Sequence, residues 1–324
     1  MAKNKTSNKQ LPVHNPATLP PQEILDLFKV TFNEELYVED IEKLQADIQD
    51  VKSSLFNREY IEAFDDDIKR TAYCIRWSSS RAMAYASLFA FFDPIKKIIQ
   101  CHSSEDQAVL CIGGGAGGEL IALCSMFVYS QNMTKKFSTN NEDVAESPKL
   151  KLNLMDIADW SSIIERLENQ INEKWLYGGG NDTLNINFIH DDILKMNFNE
   201  NNVSLSNINL ITLLFTTNEL FTEHKTESIR LLQKFNKDCK SGCHLLIVES
   251  AGSYSHITVG RKQFPIHFLI DTILVGVRTG DKSPSAWSLV SENDSLWYRC
   301  DPNCDYPLKV ENMRFFIVYI KKIK

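Results

Sequence analysis

Apolar residues between Gln22 and about Ile99 recur at helical spacing, as in Ile24, Leu27, Phe28 and in Ile41, Leu44, Ile48, Val51, Leu55, which predicts an N-terminal helical region. Asp93 ahead of Pro94 predicts a cap and first-turn proline for another helix, Ile95 to Gln100. After Ser103 the pattern shifts to short apolar runs separated by helical or loop stretches, as in a parallel α/β sheet. Strands are predicted at Ala108 to Ile112, Leu150 to Met155, Leu184 to Ile189, Leu210 to Phe215, His244 to Glu249, near Ser295 to Arg299, and at Arg314 to Lys321. Helices are predicted at Gly118 to Tyr129, Trp160 to Trp175 and Glu223 to Lys237, so seven strands fit one sheet. The expected organisation is a flexible basic tail (1–21), a helical region (22–103) and an α/β domain (104–324) with a polar insertion at 130–148.

Composition narrows the function classes. The longest apolar run, about Met83 to Phe92, is too short to span a membrane, and the lysine-bearing amino terminus lacks the apolar core of a secretory signal, so an intracellular location is expected. The eight cysteines then need no disulfides, and Cys74, Cys111 and Cys124 read as small buried hydrophobes. The net charge of −7 is uneven: residues 1–20 hold three lysines and no acid, whereas 22–67 hold 14 acids against Lys29, Lys43, Lys52 and Arg58. Beyond the short tail no basic excess marks a nucleic-acid face, so charge alone does not argue for RNA.

Glycine is scarce, 13 in 324 residues, yet five fall between Gly113 and Gly118, with three more at Gly178, Gly179 and Gly180. The first cluster lies between a predicted strand and a predicted helix, where Gly113, Gly115 and Gly117 let a cofactor lie against the backbone and the helix offers free N–H groups. Dinucleotide enzymes and S-adenosylmethionine (AdoMet) methyltransferases share this loop and an acid closing the next strand, here Asp156, which would hold the ribose; a cap for the following helix is its other reading. Asp191 and Asp192 close the third strand, where an adenine amino group is a natural partner, although one of them could cap the next turn. Acids on both strand ends suit a nucleoside without phosphates, and Thr216-Thr-Asn-Glu-Leu-Phe221 puts a polar group at the edge where open α/β sheets bind ligands. AdoMet is therefore favoured over NAD. The segment Met313 to Lys322 reads as part of a closing hairpin.

Tyr73 to Tyr85, Cys111-Ile-Gly-Gly-Gly-Ala-Gly-Gly-Glu119, Leu213 to Phe221, Val248-Glu-Ser-Ala-Gly-Ser-Tyr-Ser-His256 and Trp297-Tyr-Arg299 together resemble the fungal large-subunit ribosomal RNA uridine-N3 methyltransferases, from about Leu55 onward. The resemblance implies a Rossmann-like class I methyltransferase fold with a mostly parallel seven-stranded sheet, an antiparallel last strand and an N-terminal helical extension. It further implies AdoMet as methyl donor, a uridine of 25S ribosomal RNA or a pre-ribosomal particle as partner, and a nuclear or nucleolar location, the cytoplasm staying open. Cys111 departs from the superfamily, which usually has an acid there to anchor the methionine end, a role Glu119 could share.

Methyl transfer to nitrogen needs alignment and desolvation but no protein nucleophile. No cysteine stands at 215–221 or 249–256 for carbon-5 chemistry, and the Asn/Asp-Pro-Pro-aromatic signature of amino methylation is absent, which leaves uridine N3 compatible. Glu219 is the first candidate general base, or else a first-turn helix acid, with Asn218 orienting the base and Phe215 lining the pocket; His256 is a second, weaker candidate. Arg76, Trp77 and Arg81 could hold phosphate or stack a flipped base, or be helix-surface residues with the arginines paired to the acids at 65–67. The spacings Cys239/Cys243 and Cys300/Cys304 suit zinc, but the predicted sheet puts the pairs at opposite ends, so no metal is expected. A catalytically silent AdoMet-binding sensor or assembly factor and an NAD-dependent oxidoreductase are the alternatives.

Overall fold

Alternating apolar side chains build the centre of the molecule. The computed structural model describes residues 9–37, 41–103, 105–137, 148–177, 182–198, 203–251, 256–259, 262–276 and 285–324. Five parallel strands, β1 (Gln107–Ile112), β2 (Leu150–Asp156), β3 (Leu184–His190), β4 (Leu210–Leu214) and β5 (His244–Ser250), are followed by a two-stranded ribbon, β6 (His256–Val259) and β7 (Lys262–Pro265), then β8 (Trp287–Tyr298) and β9 (Met313–Lys322). The main sheet runs β3-β2-β1-β4-β5-β9-β8, with β9 antiparallel to both neighbours. Along β1, Val109 and Cys111 join the core on one face while Leu110 and Ile112 join the core on the other. Such two-sided burial explains why these strands read as continuous apolar runs. Strand order reverses between β1 and β4, and the crevice there is where open α/β sheets bind ligands.

One face is covered by the N-terminal helices together with Gly118–Phe137 and Ser161–Gln170, the other by Lys225–Asp238 and shorter pieces. Helix Ser79–Phe91 is buried on nearly every side, and its residues belong to the same core as β1, β2 and β9. The expected boundary at 103/104 therefore separates elements, not cores.

Several expectations are corrected. Residues 9–21 are not a flexible tail: Leu11 is 1% exposed and donates its N–H to Trp297 O, Trp297 returns one to Lys9 O, and Ser87 and Tyr298 donate hydroxyls to Pro12 O and Val13 O. Prolines that read as disorder need no N–H partner, and burying Leu11 stabilises by about 1.5–3 kcal/mol. The helix after the glycine loop continues to Phe137, which removes 130–137 from the polar insertion; 138–147 and Gly178, Gly179 and Gly180 lie outside the described residues. Asp93 is the first helical residue and does not cap; its carboxylate pairs with Lys96. The sixth strand of the main sheet starts at Trp287, well before Ser295, because register shifts at Leu289/Ser291 and Asn293/Leu296 broke the alternation. The helix predicted at Glu223 to Lys237 is Lys225–Asp238, and a further short helix, Thr217–Glu223, precedes it.

Candidate functional site

At the crevice between β1 and β4 the chain turns sharply. Gly113 (φ 75°) and Gly117 (φ 78°) take left-handed conformations, and a Cβ on Gly113 would lie 2.2 Å from Thr216 Oγ1. Gly115 is equally constrained, since its Cβ would come within 2.1 Å of Trp160. The loop is pinned to β2: Gly113 and Gly114 N–H donate to Met155 O, while the Asp156 carboxylate accepts from Gly115 N–H (3.0 Å) and Ala158 N–H (3.1 Å). Asp156 thus ties strand end to glycine loop and does not cap the next helix, whose Ser161 N–H donates to Asp159. Burial raises its pKa, and those two N–H groups oppose the rise. Asp192 proves to be the turn cap, accepting Leu194 N–H and pairing with Lys195 at 2.9 Å. Asp191 accepts Asp192 N–H and its own N–H reaches Asp156 O, so the two acidic strand ends are joined.

These groups form one side of a cavity of about 290 Å³. The sheet side contributes Gly113, Gly114, Asp156, Asp191, Asp192, Phe215, Thr216, Glu119 and Glu219; the helical side contributes Tyr60, Phe64, Tyr73, Arg81 and Tyr85. Phe215 has φ 62°, a strained value for a bulky residue, and its ring lies beneath the Arg81 guanidinium at 5.2 Å. Arg81 also lies over the Tyr73 ring and donates to the Tyr73 hydroxyl. Glu119, 3% exposed, accepts from Thr212 Oγ1 at 2.5 Å beside Cys111, and burial pushes it to about 8. Glu219 is pushed up to about 7, mainly by burial and then by the charges of Asp156, Glu223 and Glu249. Glu249 accepts Asn218 N–H and Ser250 N–H, which fixes the start of the Glu219 helix to the end of β5.

The structure thus brings Gly113, Asp156, Asp191, Asp192, Phe215, Thr216, Glu219 and Arg81 to one cavity. Gly115 and Gly117 shape the loop from beneath, against Trp160 and Leu167, and Asn218 adjoins Glu219 on the same short helix. Arg76 and Trp77 are not among the cavity lining. Arg76 pairs with Glu311 and donates to Lys309 O, not to the acids at 65–67, of which Asp65 and Asp67 are taken by Lys69 and Arg70. His256 opens β6, opposite Pro265. Tyr60, Phe64, Tyr73, Tyr85 and Trp160 escaped sequence reading because nothing in their spacing separates them from core aromatics. Cys243 precedes β5 while Cys300 and Cys304 follow β8, and among the described residues no three His, Cys, Asp or Glu gather as a metal site.

A family model described as "Putative SAM-dependent methyltransferase" matches residues 28–320. The "25S rRNA (uridine(2843)-N(3))-methyltransferase" of Saccharomyces cerevisiae is 55% identical over 323 residues, covering 96% of this chain and 88% of its own. Among solved structures, a SAM-dependent methyltransferase from Aquifex aeolicus is similar at a TM-score of 0.37 and 16% identity, covering 72% of this chain and 90% of its own. A phosphoethanolamine N-methyltransferase from Haemonchus contortus gives 0.39 and 13%, covering 89% of this chain and 51% of its own.

Proposed function

The chain belongs to the SAM-dependent methyltransferase family, and on that premise we propose that it methylates N3 of a uridine in large-subunit ribosomal RNA. The observation that carries this reading is the cavity itself, in which Glu219, a carboxylate raised to about 7, lies at the same strand edge as the glycine loop. Its donor set fits AdoMet. Carboxylates predominate, with Arg81 as a partly buried cation on the opposite side, which matches a ligand carrying a sulfonium, a ribose diol and an amino-acid end, and disfavours a pyrophosphate. Asp156 would hold the ribose and Asp191 the adenine amino group, with Gly113 and Gly114 as the floor. Glu119 and Arg81 would hold the ammonium and carboxylate of the methionine end, so that Glu119 takes the place of the acid missing at Cys111. Arg81 is thereby reassigned from RNA to cofactor.

When bound, AdoMet supplies a methyl group on a sulfonium. N3 of uridine carries a proton that must leave before its lone pair can attack, and Glu219 would accept that proton. A carboxylate near 7 is about half ionised at neutral pH and is a stronger base than an exposed one. Phe215 forms an apolar wall, and Glu249 holds Asn218 and Glu219 in register with β5, an arrangement that would help align the acceptor. The protein would act on ribosomal RNA or a pre-ribosomal particle in the nucleolus. Incubating purified protein with in-vitro-transcribed 25S ribosomal RNA and labelled AdoMet, then digesting to nucleosides, tests the reading: labelled 3-methyluridine is expected, and a label elsewhere or none refutes it.

A further inference from the structure

The helical side of the cavity ends in a turn that no role above uses. Helix Ile41–Asn57 stops, Arg58 takes φ 64°, and the four-residue helix Tyr60–Ala63 begins. Arg58 N–H donates to Leu55 O and Glu59 N–H to Ser54 O, so the reversal is hydrogen-bonded. From its inner side, Ala63 is fully buried and Phe64 packs on Tyr73 and Trp160 at 5.0 and 5.1 Å between ring centres. Arg58, Tyr60 and Ile61 line the cavity, and the Glu219 charge is felt at the Tyr60 phenol, whose pKa is raised chiefly by burial. From its outer side, Phe56 is 88% exposed and Ile61 72%, and Ile157 on the facing rim is 51% exposed. Ile61 and Ile157 thus leave apolar groups open at the cavity itself, and Phe56 extends that surface outward two residues before the lining residue Arg58, as at a contact surface.

Charge says which kind. The region 22–67 carries ten more acids than bases, but between residues 52 and 62 Lys52 and Arg58 balance Glu59 and Glu62. A phosphate backbone gains little from such a surface, whereas the faces of unstacked bases need no positive charge. Resting on the uridine-N3 reading, we propose that the turn Phe56–Ile61 is the RNA-docking rim of the acceptor site, where Phe56 and Ile61 take the faces of unpaired bases flanking the target uridine and Tyr60 packs on the uridine within. Recognition would then be by stacking, which explains how a net-acidic protein engages RNA.

The test uses the full chain with Phe56→Ala/Ile61→Ala, and in-vitro-transcribed 25S ribosomal RNA in filter binding and steady-state methylation. RNA affinity is expected to fall about tenfold and KM for RNA to rise with it, while S-adenosylhomocysteine affinity by calorimetry is unchanged. The slope of affinity against salt should stay as in the wild type, because the lost contacts are uncharged. Phe56→Trp should keep wild-type RNA affinity and Phe56→Leu should not. Unchanged RNA affinity in the double variant overturns the proposal, and if methylation of a pre-ribosomal particle alone then drops, the rim meets a protein. A parallel fall in S-adenosylhomocysteine affinity also overturns it, since the turn would then act through the cofactor. A wild-type protein that makes no 3-methyluridine refutes instead the reading beneath it.

Discussion

The two sides of the cavity are held by different means. On the sheet side the main chain does the holding: the Gly113 and Gly114 N–H groups are bound to Met155 O, Asp156 accepts from Gly115 and Ala158, and Asp191 N–H reaches back to Asp156 O. On the helical side the contacts are between side chains drawn from distant segments, with Phe64, Tyr73 and Trp160 packed ring on ring and Arg81 between Tyr73 and Phe215. Main-chain bonds fix groups to fractions of an ångström at strand ends, whereas ring packing sets a surface whose residues can be exchanged at modest cost. The difference suggests a division of labour, with the sheet edge positioning cofactor and base and the helices closing over them.

That division can be broken at graded cost. Glu219→Gln keeps the shape but removes the proton acceptor, and single-turnover methylation is expected to slow by about 10²–10⁴-fold with S-adenosylhomocysteine affinity retained. Gly113→Ala forces a side chain into a left-handed turn against Thr216, and calorimetry should show S-adenosylhomocysteine binding weakened by about ten- to a hundredfold. Arg81→Met leaves the packing but not the charge. It should weaken S-adenosylhomocysteine about tenfold while sparing 5′-methylthioadenosine, which lacks the amino-acid end. Arg76→Ala should be nearly silent in both assays, within about twofold, because its contacts with Glu311, Lys309 O and the Trp77 ring all lie outside the cavity lining.

How far the sequence spoke follows the same divide. The glycine loop, Asp156, the Asp191/Asp192 pair and Glu219 were legible because chemistry and spacing coincide at strand ends, where the continuous apolar runs stop. Which aspartate caps the turn was not legible, since both are one residue apart and only the Leu194 and Lys195 contacts distinguish them. The helical side was hidden for a general reason: an aromatic on a helix looks the same whether it faces a core or a cavity. Arg76, in the π-type turn Cys74–Ser78, and Arg81, on the helix that follows, lie five residues apart and so face different sides: Arg76 pairs with Glu311 while Arg81 lines the cavity. Leu11 was masked by its polar, proline-rich surroundings, although a β8 edge was waiting for it.

The most direct test of the central claim, that Glu219 is the base presented by the sheet edge, is the pH dependence of single-turnover methylation in wild type and Glu219→Gln at saturating AdoMet and RNA. Burial raises the Glu219 pKa to about 7, so below that pH the group is protonated and cannot accept the N3 proton. The wild-type rate should therefore climb as pH rises through about 7 and level off above it, and the slower variant should lack that inflection. The same inflection in both proteins would contradict the assignment.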